Sequence, residues 1–130
     1  MKIKIYTDGG ARGNPGPSAI GVVIKAEDGS KIISFGEKIG VATNNIAEYQ
    51  AVIKALDWIV NNLKEVCPKN SDIKLLFYLD SLLVVSQLNG LFKVKNPILR
   101  ELLLTVRNTE GLVSAPIIYS HIPRAENSEA

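Results

Sequence analysis

Apolar and polar positions alternate at the start of the chain, where Ile3 and Ile5 are set among Lys2, Lys4 and Tyr6, and this period of two predicts a half-buried strand over 1–6. Two further β-prone runs, Ala19 to Lys25 and Lys31 to Lys38, are joined across Glu27-Asp28-Gly29-Ser30, in which Asp-Gly is a hairpin signal. The chain is thus expected to open as three antiparallel strands. From Asn45 to Leu63 the period lengthens. Val52, Leu56, Ile59 and Leu63 recur at helical spacing, while Tyr49, Ile53 and Val60 broaden the apolar face, so a long helix packed on most sides is predicted, with Trp58 in the core or at its edge. After a polar loop from Pro68 to Asp72, the segment Ile73 to Leu79 is almost continuously apolar, which suits a central parallel strand covered on both faces. Ser81 to Leu88 reads as a short helix with Gly90 past its end. Asn96-Pro97 supplies an N-cap and a first-turn proline for a helix with the stripe Ile98, Leu99, Leu102, Leu103 and Val106. A last strand, Pro116 to His121, precedes a polar segment over 122–130.

The order β-β-β-α-β-α-α-β calls for an α/β layer architecture with a mixed sheet, and with no internal repeat or linker it is expected to form a single domain over 1–130. An apolar content of 46% over 130 residues suffices for one core. The formal charge of +2 neither demands nor excludes a polyanionic partner, because local clustering outweighs the sum. The single cysteine, Cys67, cannot form an internal disulfide, and the N-terminus has no long apolar run, which together imply a cytoplasmic protein without a membrane span. Beside Pro68, Cys67 reads as a small apolar filler or a loop thiol rather than a nucleophile. A monomer is the expected state.

Candidate chemistry gathers where the predicted elements meet. The first strand runs into Tyr6-Thr7-Asp8-Gly9-Gly10-Ala11-Arg12-Gly13-Asn14-Pro15-Gly16-Pro17, so Asp8 stands at an expected strand end beside glycines and a turn that leave room for a large polar ligand. The same residues also fit a plain turn in which Asp8 bonds backbone N–H groups. Asp80 ends the second apolar strand but is equally placed to cap the helix at Ser81. Glu48 stands in the expected first turn of the long helix but is spaced to close a capping box with Asn45. In sheets of this kind ligands collect at the carboxyl ends of strands. Three carboxylates around one sheet edge repel one another unless protonated or filled by a cation, and an all-oxygen ligand set favours Mg²⁺ or Mn²⁺ over zinc.

Thr7-Asp8-Gly9-Gly10, Gly13-Asn14-Pro15-Gly16-Pro17, Thr43-Asn44-Asn45-Ile46-Ala47-Glu48, Leu79-Asp80-Ser81 and His121-Ile122-Pro123-Arg124-Ala125-Glu126-Asn127 occur in an order that resembles the successive motifs of type I ribonuclease H. Leu88 to Pro97 is similar to the compact prokaryotic and archaeal-type branch. The resemblance implies a ribonuclease H-like fold with a five-stranded mixed sheet. It also implies a metal-dependent endonuclease that hydrolyses the RNA strand of RNA/DNA hybrids with two Mg²⁺ ions, leaving 5′-phosphate and 3′-hydroxyl ends, with Mn²⁺ as a substitute. By the same resemblance Asp8, Glu48 and Asp80 are metal ligands, and His121 assists proton transfer or product release. Gly9, Gly10, Arg12, Asn14, Asn44, Asn45 and Ser81 contact the hybrid, and duplex RNA is a further candidate substrate. Lys93 and Lys95 are cations that can meet phosphates.

Three departures from the family pattern qualify this. Leu82 replaces a polar substrate-contacting side chain, and the short span from Gly90 to Pro97 leaves no room for the family's basic protrusion, so affinity for hybrid is expected to be modest. The family's fourth carboxylate and the C-terminal helix that carries it would follow Asn127-Ser128-Glu129-Ala130 and are absent from these 130 residues. A catalytically weak or inactive hybrid-binding module is therefore the alternative expectation.

Overall fold

The computed structural model describes residues 1–66 and 72–130. Cys67 and most of the predicted loop after it lie outside these residues, and the side chains of 63–66, Leu63 of the predicted stripe included, are likewise not described. The elements are β1 (Lys2–Ala11), β2 (Gly16–Lys25), β3 (Lys31–Ala42), α1 (Asn44–Val66), β4 (Lys74–Leu79), α2 (Leu82–Leu88), α3 (Pro97–Glu110) and β5 (Ile117–His121), followed by a 3₁₀ turn, Arg124–Asn127. The predicted order of strands and helices is the observed one.

Five strands form one sheet in the order β3-β2-β1-β4-β5. The β1–β2 and β2–β3 pairs are antiparallel, whereas β1–β4 and β4–β5 are parallel. The hairpin between β2 and β3 closes as its sequence implies: Gly29 takes φ 89°, and the Asp28 carboxylate accepts from both the backbone N–H and the hydroxyl of Ser30. Two-residue alternation decides the faces. Ile3 and Ile5 of β1, Val22 and Ile24 of β2, and Leu75, Phe77 and Leu79 of β4 point to one side and are buried. Against them lie Tyr49, Val52, Leu56 and Ile59 of α1, with Val84 of α2 and Val106 of α3 completing the core. Each such side chain contributes about 1.5–3 kcal/mol by leaving water. Trp58 is half-buried against this core, at the edge assigned to it from the sequence.

Two expectations are corrected. β1 does not stop at Tyr6 but continues to Ala11, because Asp8, Gly9, Gly10 and Ala11 pair with Gly21, Ile20, Ala19 and Ser18 of β2. Gly9 and Gly10, which suggested a turn, are strand residues, and close packing requires the first of them: a Cβ on Gly9 would run into the Ala47 carbonyl of α1. β4 is central as expected, yet only one of its faces is sealed. Leu76 and Tyr78 on the other face are half-buried, with Tyr78 stacked on Tyr6 at 5.1 Å between ring centroids.

Candidate active site

The cluster forms where β1 outruns its parallel neighbour. Pairing of β1 with β4 ends at Tyr6–Tyr78, β4 ends at Leu79, and Asp80 turns away into α2, so Asp8 and Asp80 emerge side by side at the carboxyl ends of two adjacent parallel strands. Asp8 is thus at the end of the β1–β4 pairing although it lies inside β1, which β2 alone supports from there on.

Glu48 reaches the same point from α1. The helix begins at Asn44 under a Thr43 cap, whose Oγ1 accepts from the Ile46 N–H at 3.2 Å, so Glu48 opens the second turn rather than the first. The capping box with Asn45 is therefore not formed. Instead the Glu48 Oε1 accepts from the Gly9 N–H at 3.2 Å, and Oε2 is buried without a partner. Asp80 is not a cap either, since Ser81 Oγ accepts from the Val84 N–H at 3.3 Å and α2 starts at Leu82. Both carboxylates are thus without the capping role that their sequence positions also allowed.

One carboxylate oxygen each from Asp8, Glu48 and Asp80 lie within 4.8 Å of one another. Burial pushes the Glu48 carboxyl up to about 9, with the hydrogen bond and the negative charge of Asp8 and the charge of Asp80 adding to the rise. Burial also raises Asp8 above its usual range, opposed by its hydrogen bond to Glu48 and by the Arg124 guanidinium, and reinforced by Asp80. Both carboxyls of the pair are thus pushed toward their protonated forms, Glu48 the more buried of the two. Such a set, with a bare buried oxygen and carboxylates whose charge is penalised first by burial and then by one another, fits a hard divalent cation.

The acids lie in an open cleft of about 970 Å³, whose wall includes Gly9, Gly10, Arg12, Lys38, Asn44, Asn45, Ser81 and Arg124. Of the residues singled out from the sequence, Asn14, His121, Lys93 and Lys95 are not in that wall. Asn14 is exposed and tied to the wall residue Asn44: its Oδ1 accepts from the Asn44 N–H at 3.0 Å, and the Asn44 Oδ1 in turn accepts from the Ala11 N–H at 2.8 Å, which staples the 12–15 loop to the start of α1. His121 is exposed at the end of β5, in register with Leu79.

Lys38, Arg124 and Asn127 join the site without an expectation from the sequence. Arg124 and Asn127 are inside the closing motif, so their signal was present in the sequence. Lys38 was not legible, because its place depends on a β-bulge: Ser18 pairs with Gly40 and Ala19 with Lys38, so Ile39 is left over while Gly40 takes φ 81°. Glu129, the acid nearest the chain end, is turned away from the cluster and pairs with Lys25 at 2.9 Å and Lys31 at 3.6 Å.

The RNase H family model matches residues 1–130. The bifunctional protein Rv2228c of Mycobacterium tuberculosis is 39% identical over 133 residues, covering 100% of this chain and 34% of that protein. Ribonuclease HI of Halobacterium salinarum is 38% identical over 130 residues, covering 99% of this chain and 60% of its own. The chain thus spans between about a third and three-fifths of these relatives. Among solved structures, LC11-RNase H1 in complex with an RNA/DNA hybrid superposes with a TM-score of 0.88 at 41% identity, covering 98% of this chain and 90% of that one.

Proposed function

The chain belongs to the RNase H family, and from that premise we propose that it is a ribonuclease H, a metal-dependent endonuclease that hydrolyses the RNA strand of RNA/DNA hybrids. The observation that carries the reading is the convergence of the Asp8, Glu48 and Asp80 carboxylates within 4.8 Å at one end of the cleft. These three residues would hold the cations, Mg²⁺ with Mn²⁺ as a substitute. When bound, such ions acidify an attacking water and neutralise charge developing on the scissile phosphate.

The chain's own residues do the rest. Glu48 would release its proton on cation binding, because the ion's charge would offset both the cost of burying a carboxylate and the repulsion from Asp8 and Asp80. Asn44 and Asn14 have each committed Oδ1 to a backbone N–H, so their Nδ2 groups are the donors left to meet an acceptor such as a ribose 2′-oxygen. Gly9 and Gly10 keep side-chain bulk away from the acids, and a Cβ on Gly10 would meet open space. Asn45 and Ser81 are cleft-wall groups that a sugar or phosphate can reach. His121, beyond the wall, is assigned the secondary part of proton transfer or product release. A monomeric, cytoplasmic protein is the setting that the single cysteine fits; among the described residues no helix is long and apolar enough to cross a membrane.

Arg12, Lys38 and Arg124 line the cleft, and none of them is in an ion pair among the described residues. They are the phosphate-facing cations of this reading. Lys38→Ala is expected to weaken hybrid binding and to lower the dependence of log affinity on log salt by about one, the signature of one lost phosphate contact, with the maximal rate unchanged. Binding titrations between low and moderate salt check this, and an unchanged slope removes Lys38 from the interface. The overall reading is tested by incubating labelled RNA/DNA hybrid, duplex RNA and duplex DNA with the protein and Mg²⁺ or Mn²⁺. Cleavage of the RNA strand of the hybrid is expected; hybrid binding without cleavage under either ion would leave a binding module in its place.

A further inference from the structure

We propose that Asn127 is a positioning residue that sets the carboxylate of Asp80 for cation binding, making the closing 3₁₀ turn a working part of the metal site. The inference rests on the cation-binding reading of the Asp8, Glu48 and Asp80 cluster. Asn127 is only 3% exposed although it ends a turn whose other residues are exposed. Its Nδ2 donates to the Thr7 carbonyl at 2.9 Å and to Asp80 Oδ2 at 3.4 Å. One amide therefore ties the backbone just before Asp8 to the side chain of Asp80, joining the ends of two parallel strands at the point where the ligands diverge.

The bond to Thr7 fixes where the amide sits, because it runs to main chain held by the sheet. The second bond then constrains Asp80, which is half-buried and whose carboxylate has no other side-chain hydrogen bond among the described residues. With Oδ2 held, Oδ1 is the oxygen left without a protein donor. Supporting groups of this kind matter because a ligand already held in its binding rotamer loses less freedom when the cation arrives. A residue needed only to close the turn has no reason to aim a donor at a ligand carboxylate; the Thr7 bond alone would anchor it.

Two measurements test this. In the ¹⁵N-labelled wild-type protein, the Asn127 side-chain amide signals are expected to shift on adding Mg²⁺, with the same midpoint as the signals of Asp8 and Gly9. Asn127→Ala is expected to raise the Mg²⁺ concentration for half-saturation by about 10- to 100-fold, seen both by calorimetric titration with Mn²⁺ and in single-turnover cleavage that recovers at high Mg²⁺. Hybrid binding in EDTA should change little. A variant that melts earlier but binds the ions as the parent does gives Asn127 a structural role only and overturns the proposal. Should the variant fail to fold, the wild-type titration decides, and Asn127 signals that stay still while the cluster fills overturn it equally. A wild-type protein that binds neither ion would instead bring down the cation-binding reading itself, and this inference with it.

Discussion

Asp8→Asn is expected to lower single-turnover cleavage of an RNA/DNA hybrid by at least about a thousandfold, the scale of several kcal/mol of charge stabilisation lost with a catalytic cation ligand, while the protein stays folded. Asp8 is central to the cluster, and it receives influence from Glu48, Asp80 and Arg124 together. Asparagine keeps the shape of the side chain. What is lost is one negative charge. Without metal that loss relieves repulsion, so the variant should melt no lower than the parent in EDTA at pH 8. With Mg²⁺ the order should reverse, because only the parent gains stability from the bound ion. Full activity in the variant would sink the proposal that this cluster is the catalytic centre.

The architecture was legible because it is written in periods that local physics enforces. The switch from two-residue alternation in β1 to helical spacing in α1, and the Asp-Gly hairpin before β3, are nearest-neighbour effects. The three acids were legible as a set, since each falls at a junction of elements and ligand sites in such sheets collect there. What the sequence left open was settled by distant partners. Whether Glu48 was a cap or a cluster member turned on Gly9, whose N–H binds it across 39 positions. The extent of β1 turned on pairing with β2, which overrides the turn preference of Gly9 and Gly10. Lys38 depended on a bulge, which leaves no local trace; Asn127 lies inside a legible motif, but its partners, Thr7 and Asp80, are 120 and 47 positions away.

Glu48→Gln separates catalysis from folding most sharply, because it should abolish cleavage and at the same time flatten the pH dependence of stability. In the metal-free folded protein burial pushes the Glu48 carboxyl up to about 9, against an ordinary value of 4.5. Between those two values the folded state holds a proton that the unfolded state has released. The stabilisation is therefore fully present below the unfolded value, declines as pH rises through the window, and is gone above the folded value. The raised Asp8 acts in the same direction. Glutamine resembles the protonated acid: its oxygen can still accept from the Gly9 N–H, and its amide can still donate to Asp8. Thermal melts in EDTA from pH 5 to pH 9 should accordingly show the parent losing stability across the range and the variant losing markedly less, so that near pH 5 they coincide and near pH 9 the variant is the more stable. Addition of Mg²⁺ at pH 8 should raise the parent's midpoint and leave the variant's nearly still, since the neutral amide is a poor ligand for a hard cation. Cleavage should fall by a factor comparable to that for Asp8→Asn, about a thousandfold or more. Parallel melting profiles would show that Glu48 is not the group that titrates. Preserved cleavage in a well-folded variant would show that its bond to Gly9 serves the packing of α1 on β1 and nothing more.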